Sequence, residues 1–168
     1  MPKPESSLRP TSAVQEDYLK ALHRLSEGDD EVIVPTSQLA EELEVTPGSV
    51  SEMLGKLAAL KLVVHFPYRG AKLTRAGRDV AVEMIRHHRL IETYLVQALG
   101  YRWDEVHEEA DRLEHSISER LEERMWQALG EPAFDPHGDP IPTPDFRIGA
   151  ADTVPLHLAQ AGTAVRIA

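Results

Sequence analysis

The sequence predicts a mainly α protein in three parts: a winged helix-turn-helix domain at residues 12–75, a helical domain at 76–142, and a C-terminal segment at 143–168 that opens a small β module. Three observations carry this prediction. Two short helical patterns meet at a tight turn and run into a basic hairpin. Two longer helical patterns follow, with His, Asp and Glu recurring on their faces. Prolines at 132, 136, 140, 142 and 144 then stop helix formation.

Taken in order, residues 1–11 read as a polar, proline-bearing lead-in without the make-up of a signal peptide. Ser12 caps a first helix running to about Ser26, with Val14, Tyr18, Leu19, Leu22 and Leu25 at helical spacing. Gly28-Asp29-Asp30 breaks it, and Val32-Ile33-Val34 reads as a short strand. Thr36 is expected to cap a helix from Ser37 to Leu43, with Leu39, Ala40 and Leu43 inward. After the turn at Glu44-Val45, Thr46 caps a third helix that has Pro47 at its favoured first position. Val50, Met53, Leu54, Leu57 and Leu60 form its buried stripe. Strands at 62–66 and 71–74 around Pro67-Tyr68-Arg69-Gly70 complete a wing.

A long helix is expected from Arg75 to about Leu99, stopped by Gly100. Trp103 is expected to open the next helix, which bends around Ser116 to Ser118 and continues to Gly130. The proline-rich stretch after it reads as an extended linker. In the last stretch, Val154-Pro155-Leu156 and Ala164-Val165-Arg166-Ile167 look like opening strands. So short a segment cannot bury a core alone, so the chain is expected to be part of something longer.

The chain has no Cys, which excludes disulfides and zinc-thiolate sites, and no run long enough to span a bilayer. A cytoplasmic location is expected. Net charge is −10, which alone argues against nucleic acid, but the charge is uneven. Thr46 to Arg78 holds Lys56, Lys61, Arg69, Lys72, Arg75 and Arg78 against the single acid Glu52, leaving that segment at +5 and the rest at −15. A basic module is joined to an acidic one. On the third helix, Thr46, Ser49, Ser51, Glu52 and Lys56 offer hydroxyls and charges to base edges and phosphates. Arg69 sits at the wing tip. Double-stranded DNA is the expected partner.

The helix beyond Trp103 carries His107, Asp111, Glu114 and His115 at i, i+4, i+7 and i+8, which places all four on one face. Two imidazoles and two carboxylates there suit Mn(II), Fe(II) or Zn(II). A solvated acidic face is the competing reading, since the segment is rich in Glu. On the preceding helix, His88 and Glu92 are four apart and can share an ion.

These features together resemble the diphtheria toxin repressor family, which includes the manganese transport regulators. The resemblance runs from about Ser12 to Pro142. It rests on the winged helix-turn-helix, His-Arg-Leu-Ile-Glu at 88–92, His-x-x-x-Asp-x-x-Glu-His at 107–115 and Asp-Pro-His-Gly-Asp-Pro-Ile-Pro at 135–142. It implies a homodimeric, metal-activated regulator that binds a palindromic operator and controls metal-homeostasis genes, with the β segment as the start of an SH3-like domain. It implies one metal position at Asp17, Asp111, Glu114 and His115 and another at His88, Glu92 and His107. Iron-responsive members carry Met and Cys where this chain has Asp17 and Asp111. The carboxylates point to Mn(2+), with Fe(2+) as the alternative. Lys20 stands where manganese regulators lacking a third domain place an acid. The dimer contact is expected on apolar faces between Val80 and Leu129, including Trp126.

A metallohydrolase would use a similar His/Asp/Glu cluster to activate water, but no separate catalytic base stands at a telling spacing, and the chain is not expected to be an enzyme. A winged-helix regulator of a small organic ligand would leave His and Glu as surface residues. A pure dimerisation module would not bind DNA.

Overall fold

The computed structural model describes residues 11–149. The N-terminal lead-in through Pro10 and the strands expected after Thr153 lie outside the described residues.

The elements are α1 (Ala13–Leu25), α2 (Thr36–Glu42), α3 (Pro47–Ala59), β1 (Val63–Phe66), β2 (Gly70–Leu73), α4 (Arg75–Leu99), α5 (Val106–Leu113) and α6 (Glu119–Ala128). The fold is mainly helical, with one small antiparallel sheet pairing Val63 with Leu73 and Phe66 with Gly70. Ser12 and Gln15 form a capping box at the start of α1. Thr46 accepts a hydrogen bond from the Ser49 amide, and Pro47 opens α3.

A first core gathers Leu19 and Leu22 of α1, Leu39 of α2, Val50, Leu54 and Leu57 of α3, Ala71 and Leu73 of the wing, and Val80 of α4. Leu25, Leu43, Met53 and Leu60 pack at its edge. A second core unites Leu90, Ile91 and Leu95 of α4 with Val106 and Ala110 of α5, Met125 of α6 and Ile141. Helix α4 thus serves both cores, and its N-terminus is fixed against the wing. The Thr74 hydroxyl donates to the carbonyls of Lys61 and Leu62 and accepts from the Gly77 amide. A Cβ on Gly77 would fall 1.9 Å from the Leu62 carbonyl oxygen, so only glycine permits this approach.

Several expectations are corrected. Val32 to Val34 is not a strand. Val34 alone bridges to Ala71, because Pro35 has no N–H to continue a ladder and α2 begins at Thr36. Thr36 lies inside α2, and Pro35 holds the cap position without a side-chain bond. Val14 is 52% exposed rather than inward. The helix after α4 begins at Val106, not Trp103, and it does not bend but breaks. Helix α5 ends at Leu113, and Ser118 caps a separate α6 by accepting from the Leu121 amide.

The proline-rich segment is not an extended linker either. The Asp135 carboxylate accepts from the amides of His137 and Asp139, and Ile141 donates its amide to the Ala133 carbonyl. Arg86 and Arg89 of α4 donate to the carbonyls of Pro142 and Pro140. The segment folds back on α4 and buries Ile141. Among the described residues no helix is long and apolar enough to cross a membrane.

Candidate metal centre and DNA-facing surface

Helix α1 brings Asp17 to Glu114 and His115, which leave the end of α5. Ligand atoms of these three lie within 4.8 Å of one another. His115 Nε2 is 3.1 Å from Asp17 Oδ1, while its Nδ1 donates to Glu16 at 2.7 Å. Burial raises the Asp17 carboxyl above its ordinary value, against the lowering effects of His115 and Lys20.

A second group unites His88 and Glu92 of α4 with His107 of α5, again within 4.8 Å. His88 is shared between the groups. Its Nε2 lies 3.0 Å from Glu92 and 3.1 Å from His107, and its Nδ1 donates to Glu114 at 2.7 Å. Burial opposes protonation of His88, yet the bonds to Glu114 and Glu92 outweigh it and lift its pKa to about 9. The same contacts hold Glu92 and Glu114 below the ordinary carboxylate value although burial pushes both up.

Asp111 departs from its expected place. It groups with His88 and Glu114, not with Asp17. Asp111 lies 3.3 Å from His88 Nδ1, 3.6 Å from His107 Nε2 and 3.5 Å from the Lys20 ammonium, which also donates to both oxygens of Glu114, at 2.6 and 2.9 Å. His107 and Asp111 are 69% and 48% exposed, whereas Glu114 and Glu92 are 1% and 2% exposed.

Three participants, Glu16, His137 and His87, were not assigned from the sequence, and Lys20 was noted there only as a departure from the manganese regulators. Glu16 binds His115, and Lys20 binds Glu114. His137 Nε2 comes within 3.5 Å of Glu92, placed by the folded-back segment. His87 holds the carbonyl of Glu114 through Nδ1 at 3.0 Å and meets Glu122 through Nε2 at 3.1 Å. Glu122 in turn pairs with Arg86. Glu16 and Lys20 left a signal in standing one residue before and nearly one turn after Asp17 on α1, His87 in standing beside His88, and His137 in lying within the Asp-Pro-His-Gly-Asp-Pro-Ile-Pro element.

Thr46, Ser49, Ser51, Glu52, Lys56 and Arg69 are all exposed. The hydroxyls of Thr46 and Ser49 are 2.9 Å apart, and Ser51 donates back to the Pro47 carbonyl. Glu52 and Lys56 pair at 2.7 Å, and the Lys56 contact keeps the Glu52 carboxyl low. Arg69 stands over the Phe66 ring at the wing tip, beside a fully exposed Tyr68.

Comparison with known proteins agrees with this layout. The family model for the iron dependent repressor N-terminal DNA binding domain matches residues 10–71, and the model for the iron dependent repressor metal binding and dimerisation domain matches residues 74–143. The iron-dependent repressor IdeR of Mycobacterium leprae is 38% identical over 128 residues, covering 76% of this chain and 54% of the relative. The diphtheria toxin repressor of Corynebacterium diphtheriae is 34% identical over 139 residues, covering 82% and 60%. This chain thus spans little more than half the length of the curated relatives it matches. A solved manganese-dependent transcriptional repressor in complex with manganese is 46% identical, with a TM-score of 0.72 over 80% of this chain and 61% of the other. ScaR with bound Cd2+ is 36% identical, with a TM-score of 0.72 over 87% and 68%. With both family models matched in order and relatives of this identity, the chain belongs to the diphtheria toxin repressor family of metal-dependent repressors.

Proposed function

We propose that this protein is a metal-activated DNA-binding repressor that works as a homodimer in the cytoplasm and controls metal-homeostasis genes. Mn(II) is the proposed activator and Fe(II) the second choice. The observation that carries the reading is the meeting of Asp17, on α1 of the DNA-binding part, with Glu114 and His115 beyond α5.

The donors fit a hard divalent cation. Asp17, Glu114 and His115 offer carboxylate oxygen and imidazole nitrogen, and so do His88, Glu92 and His107. Asp111 joins the first set once the Lys20 contact is released. A bound cation supplies charge neutralisation and a link between α1 and α5. Without it, the charges of Glu16, Asp17, Asp111 and Glu114 are offset only by contacts with His115, Lys20 and His88, a weaker link between α1 and α5. Held together, these residues fix the direction in which α3 projects. In a two-fold dimer that sets the distance between two reading helices. Only a spacing near one DNA turn, ~34–36 Å, lets both enter successive major grooves of a palindromic operator. Metal then favours one member of an existing equilibrium.

Ser49, Ser51 and Glu52 are proposed to face base edges, with Thr46, Lys56 and Arg69 on the backbone or the neighbouring minor groove. Leu99, Trp103, Leu113 and Leu121 remain 42–63% exposed on the helical part and offer apolar surface to a second copy. Trp126 packs against the second core, so its share in that contact is at most partial.

The test is titration of operator DNA with protein loaded with Mn(II), Fe(II), Zn(II) or no metal. Specific binding that rises with Mn(II) is expected. Equal binding in all four conditions would refute metal activation.

A further inference from the structure

We propose that Lys20 is a built-in competitor for the metal position at Asp17, Glu114 and His115, and that it sets how much metal the protein requires. The inference rests on the metal reading given above.

Glu114 is 1% exposed, and both its oxygens are already engaged. Lys20 Nζ donates to Oε1 at 2.6 Å and Oε2 at 2.9 Å, and His88 donates to Oε2 at 2.7 Å. The same ammonium lies 3.5 Å from Asp111. Among the described residues, Lys20 is the one lysine or arginine paired with any of Glu16, Asp17, Asp111 and Glu114. Its positive charge therefore stands against Glu114 and Asp111, where a divalent cation bound to those acids would place its own. A cation using Glu114 competes with Lys20 for the charge of that carboxylate, and sits beside an ammonium if Lys20 stays near. Lys20 is 26% exposed, so its flexible stem can carry the charge out to water.

Lys20 also spans the two parts of the protein, from α1 to the end of α5. The metal-free form thus keeps a weak version of the link that metal strengthens. Removing the charge has two consequences that pull apart. Metal binding tightens, because no resident cation has to leave. The metal-free fold weakens, because buried Glu114 loses a counter-charge. A purely structural ion pair would produce only the second.

The experiment takes the His107→Ala chain, in which the second position is disabled, as the reference and compares it with Lys20→Met, Lys20→Gln and Lys20→Arg made in that same background. Mn(II) affinity is measured by calorimetry, and the melting temperature is measured with and without saturating Mn(II). Lys20→Met and Lys20→Gln are expected to bind Mn(II) about tenfold more tightly or better. They are expected to melt lower without metal and to recover with it. Lys20→Arg keeps the charge and is expected to bind as the reference does. If Lys20→Met fails to fold, Lys20→Gln carries the same expectation, since it keeps a donor and loses only the charge. Equal affinity in the neutral variants and the reference would overturn the competitor role and leave the metal reading standing. No Mn(II) binding by any of the four would overturn the metal position at Asp17, Glu114 and His115, and the competitor role with it.

Discussion

His115 and Asp17 stand 3.1 Å apart, one in the turn beyond α5 and the other on α1. This pair joins the module that carries α3 to the module that carries the second core. His115→Ala and Asp17→Ala are each expected to weaken Mn(II) binding by at least about tenfold, and to remove metal-dependent DNA binding while circular dichroism stays unchanged. Asp111→Ala is expected to cost less, because Asp111 lies nearest His88 and Lys20 and is half exposed. Unaltered metal response in His115→Ala would take this pair out of the account.

Base reading is separable from backbone binding. Glu52 is anionic and cannot hold a phosphate. If it reaches DNA, it accepts from a cytosine amino group. Glu52→Gln is therefore expected to change which operator is preferred, in a selection from randomised sites. Arg69→Ala is expected to weaken all sequences alike and to reduce the salt slope by ~1. A uniform loss across sequences for Glu52→Gln would show that it is not a base reader.

His87 acts behind the ligands. Its Nδ1–H donates to the Glu114 carbonyl, and its Nε2 faces Glu122, which pairs with Arg86. All three side chains are buried. His87→Leu keeps the volume but strands the carbonyl of Glu114. A loss of about 2–3 kcal/mol in urea denaturation is expected, together with weaker metal binding as Glu114 shifts. A stability within experimental error of wild type would mean that water replaces His87 without cost.

The extent to which the sequence shows this varies by element, for physical reasons. Helix α4 was legible because Gly100 ends it in the left-handed region, a local signal, although Thr74, expected in the second wing strand, is its N-cap. The wing was legible from the turn at Pro67-Tyr68-Arg69-Gly70 between two short apolar runs, with the second strand one residue earlier than expected because Gly70 pairs with Phe66. The break between α5 and α6 was not, because the helical period continues through Glu114 and His115 while the Ser118 cap competes with it. The folding-back of residues 132–142 was hidden because it depends on the Asp135 carboxylate and on arginines about fifty residues earlier. Both candidate metal groups could be assembled from spacing and resemblance. The place of Asp111 could not, since its neighbours include His88 and Lys20, which stand on two other helices.

Histidine 23 gives a pH signature away from the metal positions. Burial, reinforced by the charges of Arg78 and Arg89 and opposed by Asp30, holds its imidazole below the ordinary 6.5. As pH falls, the unfolded chain takes up this proton before the folded one. The stabilisation from a neutral His23 is complete above pH 6.5 and is lost as pH falls through the lowered value. Between about pH 7.5 and about pH 5, urea denaturation is expected to show a larger loss in the wild type than in His23→Leu. Parallel losses in the two proteins would rule His23 out as the source.

Metal choice is the sharpest test. Asp17 and Asp111 present hard anionic oxygen where iron-responsive relatives are expected to present sulfur. Were Asp111 to join Asp17, Glu114 and His115 around an ion, as proposed, the set would be three carboxylates and one imidazole, in which no donor favours a softer ion. Intrinsic affinity still rises from Mn(II) through Fe(II) toward Zn(II), so selectivity has to come from geometry and availability. Zn(II) is therefore expected to bind tightly and activate poorly. Asp111 sits about equally far from His88, His107 and Lys20, at 3.3, 3.6 and 3.5 Å, so its replacement also changes what Lys20 neutralises. The double variant Asp17→Met with Asp111→Cys leaves Glu114 as the one carboxylate of the set, and Lys20 already holds it. Loss of Mn(II) activation and a shift toward Fe(II) or softer ions is expected, read as the metal concentration giving half-maximal operator binding. A double variant that keeps the parent's order of metals would show that selectivity resides in Glu92, His107 and their neighbours instead.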